Sequence, residues 1–387
     1  MNTKSQLTSV KERWRSWYMK IPFYSKYREI INKNLKALFK NFPTFVKFAF
    51  AKSNKEVIYV AFRPEGGFGD ILRQKAILIE IIKMFPNVII DIYHDKAYHL
   101  LNDIKNIRFV FKDKHSLNIT KKFYNISFSQ YEDKFNLFVK FVGKGEGGRL
   151  FSRIKNNLSR YNIDYPSVFS GLENKFYLDG KVIDYTVNCK LIQQKANNTK
   201  HNTINYIKMF KIISGVDNVE DDKLQLLFKE QSLSKFCIFK GTKYLTIQCG
   251  QGVTGDFSGR GWDIGHWEEF VTILKKGLDR DINIVQVGLT KLNLKGVDYN
   301  LNAVTTLEEL WTVLKHSILH IDLDGACVHF ARIVNTKSVV LWWLENPSFI
   351  SYPENINITS DDGNVNSIPS DYVAQKVIEY LTSEKNL

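Results

Sequence analysis

Two short stretches of this sequence carry residue types that could do chemistry. In Arg63-Pro64-Glu65-Gly66-Gly67-Phe68-Gly69-Asp70 a carboxylate closes a glycine turn. Held over a cleft, Asp70 can accept a proton from an attacking hydroxyl, which makes it a candidate general base. As a helix N-cap it would instead stabilise its own helix by about 1 kcal/mol. The second stretch is Asp324-Gly325-Ala326, followed by a short helix that includes His329. A helix start presents free N–H groups and the positive end of a dipole, so it suits an anion. Gly325 and Ala326 let a phosphate come close to the backbone, and Asp324 and His329 stand where they would orient a ligand. Taken alone, either stretch also fits an ordinary strand–turn–helix unit.

The flanking residues supply the elements that must position these groups. Val57–Phe62 reads as a buried strand before the first glycine turn, and Ile71–Phe85 as the helix after it. Strands follow at Asn87–Ile92 and Ile107–Phe111. This is the opening of a doubly wound α/β domain. The same pattern restarts at Tyr244–Gln248, a strand leading into a glycine-rich loop from Cys249 through Gly250 and Thr254 to Trp262. A helix is expected at His266–Leu278 and a strand at Ile282–Val287, closed by Gly288. Thr305, three residues before Glu308, gives a capped helix start. A strand at Ser317–Leu323, a helix at Cys327–Val334 and a strand at Ser338–Trp343 then frame the second turn. A final helix, Ser370–Leu381, is expected to pack back across the first domain.

The sequence thus predicts two facing Rossmann-like domains with a ligand cleft between them. The expected divisions are an N-terminal arm over 1–55, a first domain over 56–235, a second over 236–369, and the returning helix over 370–387. The middle of the first domain is less regular. It holds an amphipathic helix at His201–Ser214 and a basic, glycine-containing stretch at 140–160 that reads as a solvated loop or a mobile lid.

Composition excludes several classes. The 387 residues are 44% hydrophobic and 24% charged, as in a globular chain long enough for two cores. No run of eighteen apolar residues and no signal-peptide pattern is present, so a cytoplasmic protein is expected. The four cysteines lack C-x-x-C spacing and read as buried free thiols. The turn spacing G-G-x-G-D is not the dinucleotide fingerprint. The net charge of +14 is uneven, because residues 1–55 hold 13 basic residues against two acidic ones. Aromatic and aliphatic residues at helical spacing (Tyr27, Ile31, Leu35, Leu38, Phe42) give that arm one apolar and one basic face. Such a helix suits an anionic membrane surface, and would hold the protein as a peripheral protein at the inner face of the cytoplasmic membrane. It would otherwise pack on the body. No nucleic-acid motif is present.

Four ordered pieces resemble glycosyltransferase family 9, the bacterial heptosyltransferase-like enzymes of GT-B fold. They are Gly69-Asp70-Ile71-Leu72 with Ala76 and Phe85-Pro86; Arg260-Gly261-Trp262 with His266-Trp267 and Phe270; Thr306-Leu307-Glu308-Glu309-Leu310; and Asp324-Gly325-Ala326 with His329-Phe330-Ala331. They span Val57 to about Pro347, and each alone is weak. The resemblance implies that Asp70 is the catalytic base of an inverting, metal-independent sugar transfer that needs no cofactor beyond its donor. It implies a nucleotide-diphosphate sugar as donor, ADP-heptose by default, on the second domain. Arg260 would hold the diphosphate bidentately, beside Gly250, Thr254, Gly288, Asp324, Gly325, Ala326 and His329. Gly67, Gly69, Arg63 and Arg149 would face a glycan or glycolipid acceptor such as lipopolysaccharide or capsule. A protein acceptor, or a catalytically idle nucleotide-sugar-binding subunit, are the alternatives. Gly325 replaces a hydroxyl residue of the family and Ala326 a glycine.

Overall fold

The computed structural model describes residues 57–64, 67–94, 98–110, 124–131, 134–140, 182–188, 226–238, 240–249, 261–279, 281–289, 293–343 and 351–384, with a few isolated positions between them. The N-terminal arm, the helix expected at 201–214, most of the stretch 140–160, and Arg149, Gly250, Thr254 and Arg260 lie outside the described residues.

The first sheet begins with β1 (Ile58–Arg63), whose Val60 and Phe62 are buried against α1 (Phe68–Met84). Helix α1 has no Pro to break it, and packing of its apolar face offsets the modest helix propensity of its isoleucines. Isoleucines and leucines at 71, 72, 77, 78 and 81 form its core face. Strand β2 (Val88–Ile92), the single-turn α2 (Tyr98–Leu101) and β3 (Ile107–Val110) follow. The chain then returns to the other side of β1 as β4 (Ile126–Tyr131), which pairs with it in parallel. The β4 and β5 (Lys134–Lys140) strands are antiparallel, with Tyr131 opposite Lys134. A connection this short can only make a hairpin. Strand β6 (Val182–Asn188) also runs antiparallel, giving the order β3-β2-β1-β4-β5-β6. The first half is therefore not a run of βα repeats throughout, as its opening suggested.

The second sheet is wholly parallel. Its elements are β7 (Lys243–Gln248), α3 (Ile264–Gly277), β8 (Ile282–Val287), β9 (Tyr299–Asn300), α4 (Leu307–Lys315), β10 (His320–Leu323), α5 (Ala326–Ile333), β11 (Ser338–Trp342) and β12 (Ile356–Thr359), closed by α6 (Ser370–Glu384). Their order is β12-β11-β10-β7-β8-β9. Parallel strands buried on both faces are rich in apolar residues, as in the VVLW of β11 and the buried end of β8.

Three expectations need correction. Among the described residues, helix α6 packs on the second half. Its Val373, Ala374, Val377 and Leu381 pack with Trp267, Phe270, Val271 and Leu274 of α3, each buried Val, Leu or Phe contributing roughly 1.5–3 kcal/mol. Gly277 of α3 leaves the space that Ile378 fills. The capping box of α4 lies one residue later than expected. Thr306 Oγ1 accepts from the Glu309 N–H at 3.2 Å, and the Glu309 carboxylate accepts from the Thr306 N–H at 2.9 Å. Cys237 is exposed, whereas Cys249 and Cys327 are buried.

One hydrophobic cluster belongs to both halves. Ile71, Leu72 and Phe128 of the first share it with Val285, Leu310, Val313, Cys327 and Phe330 of the second. The link is direct, since α1 packs against α5.

Candidate functional site

Each sheet has a point where its strand order reverses, between β1 and β4 in one and between β7 and β10 in the other. Ligands of open α/β sheets bind outside the carboxyl ends of the strands at such points. The turn after β1 leads to Gly67, Gly69 and Asp70. The turn after β10 is Asp324-Gly325 and opens α5. The two reversals thus carry the two stretches singled out from sequence.

Asp70 sits in the first turn of α1 and is half-buried. Its Oδ2 accepts from the Gly67 N–H at 3.0 Å, so it caps its own helix. Burial nevertheless raises its pKa above the ordinary carboxylate value; the Gly67 N–H and the positive charge of Arg73 work in the opposite direction. A carboxylate shifted upward is better matched to proton transfer near neutral pH. Gly67 is exposed, and a side chain there would meet open space. Arg63, at the end of β1, is only 4% exposed.

Gly69 faces the other half. A Cβ at 69 would lie 2.8 Å from His329 Nε2 and closer still to Cδ2, inside van der Waals contact. The imidazole of His329 therefore reaches from α5 to the residue before Asp70. Tyr352 orients it, with its hydroxyl 2.8 Å from Nδ1. Burial, helped by the charge of Arg73, pushes the His329 pKa well down, so the ring is neutral. Arg73 and Arg332 both stand over the Tyr352 ring, each 5.7 Å from its centroid. Sequence reading missed Arg73 and Tyr352. Arg73 lies one helical turn after Asp70, which is the signal that could have found it.

The second half presents a glycine-led helix start. Gly325 is the N-cap of α5 and offers no side-chain cap to the first N–H groups of that helix. Asp324 is exposed, and Ala326 half-buried. Gly288, at the end of β8, has φ +122°, a conformation that favours glycine. Gln248 joins these points. A Cβ on Gly288 would lie 3.2 Å from Gln248 Cγ, and one on Gly325 would lie 3.3 Å from Gln248 Nε2. A Cβ on Gly325 would also lie 2.9 Å from Asp322 Oδ2. The carboxylate of Asp322 thus takes the space a hydroxyl side chain at 325 would need.

The aromatic residues of the Trp262 segment do not join the site. Trp262, Trp267 and Phe270 form an edge-to-face cluster in the second core, and Trp262 Nε1 donates to the Ile368 carbonyl at 3.0 Å.

No family model matches the sequence, and no curated protein does. Solved structures do match. The ADP-heptose lipopolysaccharide heptosyltransferase II of E. coli superposes with a TM-score of 0.50 at 14% identity, over 85% of this chain and 100% of that one. The fold is GT-B. Two further structures are similar over their length: the glycosyl transferase family 9 protein of Veillonella parvula DSM 2008 (TM-score 0.47, 11% identity, 83% of this chain and 97% of that) and the E. coli heptosyltransferase WaaC with ADP (0.46, 11%, 84% and 98%). In this GT-B chain the contact of Gly69 with His329 lies where the two halves meet. No helix among the described residues is long and apolar enough to cross a membrane.

Proposed function

We propose that the protein is an inverting glycosyltransferase that moves a sugar from a nucleotide diphosphate to a hydroxyl of a surface glycan. The observation that carries this reading is the pairing of a half-buried, up-shifted carboxylate on one half with a helix start that has no side-chain cap on the other, joined through Gly69 and His329. In the reaction the acceptor oxygen attacks the anomeric carbon and its proton passes to Asp70. The bond from that carbon to the diphosphate breaks, and the nucleotide diphosphate leaves with the electron pair. The N–H groups at the start of α5, with Arg260, stabilise the charge that builds on the leaving group. His329, being neutral, shapes the pocket without adding charge.

The donor class that best fits the resemblance is ADP-heptose, and the acceptor a lipid-linked glycan. The basic arm would then hold the enzyme on an anionic membrane face beside that acceptor. A catalytically idle, sugar-nucleotide-binding role has one observation in its favour: Asp70 already bonds the Gly67 N–H.

Thermal shift with ADP, GDP, UDP and CDP, on wild type and on Arg260→Ala, tests the donor site, since a ligand of the native state stabilises it according to affinity. One nucleotide should raise Tm, and the shift should shrink in the variant. No shift with any of the four at millimolar concentration overturns the assignment. Binding without turnover or donor hydrolysis on any acceptor favours the idle reading.

A further inference from the structure

The carboxyl end of β10 buries two polar side chains that the proposed reaction does not use. His320 and Asp322 are both 0% exposed. Two residues apart on one strand, they share a face, and His320 Nε2 lies 3.3 Å from Asp322 Oδ2. Cys327, in the first turn of α5, adds a buried thiol. One ligand atom from each of the three lies within 4.8 Å of the others, the single such grouping of His, Cys, Asp or Glu among the described residues.

Counting donors and acceptors around His320 exposes what the cluster is built to hold. Ser317 Oγ donates to the Leu319 carbonyl at 2.7 Å, which leaves it to accept from the Thr246 hydroxyl 3.1 Å away. With its own proton given to Ser317 Oγ or the Leu319 carbonyl, Thr246 Oγ1 is open to accept from His320 Nδ1–H, 2.9 Å away. In that tautomer the lone pair of Nε2 points toward the Asp322 carboxylate. Asp322 Oδ1 is buried and has no hydrogen-bond partner among the described residues. Two lone-pair donors facing each other beside a thiol call for a cation. Their 3.3 Å separation is that expected across a tetrahedral centre with N and O bonds of about 2.0–2.1 Å. The Nδ1–H contact to Thr246 is the kind of outer bond that fixes a metal-bound imidazole.

We propose that His320 Nε2, the Asp322 carboxylate and Cys327 Sγ bind a divalent transition metal. A mixed nitrogen, oxygen and sulfur set suits zinc, and three protein ligands leave one position for water. The site lies directly beneath Gly325, whose Cβ, were there one, would sit 2.9 Å from Asp322 Oδ2. A bare carboxylate there would repel an anion bound at the turn. A divalent cation offsets that charge and ties β10 to α5. The metal touches no reacting atom, so its presence is independent of the donor and acceptor assignments.

Elemental analysis of the full chain, purified without chelator, and a cobalt(II) titration test the proposal. Cobalt held by a thiolate gives a near-ultraviolet charge-transfer band. We expect about one equivalent of metal per chain. The band should be present in wild type and in Cys249→Ser, absent from Cys327→Ser, and shifted to higher cobalt concentration in Asp322→Asn. Cys249, whose sulfur accepts from Gln286 Nε2 at 3.1 Å, serves as the neighbouring thiol outside the grouping. Should the ligand variants fail to fold, wild type and Cys249→Ser still decide. Wild type that retains no metal and gives no band overturns the proposal, leaving Nε2–H donating to Asp322 in a metal-free pair. A band that follows Cys249 and not Cys327 overturns it equally.

Discussion

Gly69 and His329 touch across the two halves of the molecule, with no room between them for a methyl group. The imidazole cannot simply swing aside, because Tyr352 holds its Nδ1 at 2.8 Å. Gly69→Ala is therefore expected to lower stability by about 1–3 kcal/mol, the usual cost of overpacking. Urea unfolding measures it. The double variant Gly69→Ala with His329→Ala should recover most of the loss; a double variant as unstable as the sum of the singles would show that the two side chains do not meet.

Asp70→Asn is expected to separate activity from stability. Turnover should fall by about 10²–10⁴ if the carboxylate is the base. The sign of the stability effect follows from burial, which raises the folded-state pKa. Between the ordinary carboxylate value and the raised one, the folded chain keeps a proton that the unfolded chain has released. Stability then falls as pH rises through that window. Above it the folded state carries a desolvated charge. The asparagine variant can still accept from the Gly67 N–H, and its Tm at neutral pH should exceed that of wild type, with the gap closing in acid. A wild type that is the more stable at neutral pH would mean that the cap outweighs desolvation. The activity of wild type should likewise fall as pH drops through the raised pKa.

Thr306→Ala should cost about 1 kcal/mol, because it removes the cap of α4. Thr305→Ala should stay within about 0.5 kcal/mol. Denaturant midpoints of the two variants decide which threonine bears the cap. Equal losses would place it on neither.

Removing residues 1–50 should abolish binding to vesicles that contain anionic lipid, and raised ionic strength should weaken binding of the full chain. Sedimentation with vesicles reads both. Binding that survives the truncation, or that ignores salt, would remove the arm from the membrane.

Much of the second half was legible because short strands rich in apolar residues alternate with amphipathic helices and are bounded by glycine and charge. The strand at Ile282–Val287 was read to the residue. Errors arose where neighbouring residues offered the same signal. Thr305 and Thr306 stand before Glu308 and Glu309, so two capping boxes fit the sequence and only packing selects one. The packing of the last helix on α3 was not readable, because an apolar stripe states that a face is buried, but not against what. In the site, the helix starts were readable from glycine and Asp70. Tyr352 was not, because it comes from a segment without periodicity. Asp322 gave no signal within its strand, and its carboxylate lies beneath Gly325.

The hydrophobic cluster common to both halves also bears on how the protein comes apart. Phe128 and Leu72 of the first sheet layer lose their partners at the same moment as Phe330 and Val313 of the second. Neither half can then melt while the other stays intact without exposing the apolar surface they share. Heating should give one calorimetric peak, with van't Hoff and calorimetric enthalpies in agreement, and a chain cut between the sheets should yield two fragments that need each other in order to fold.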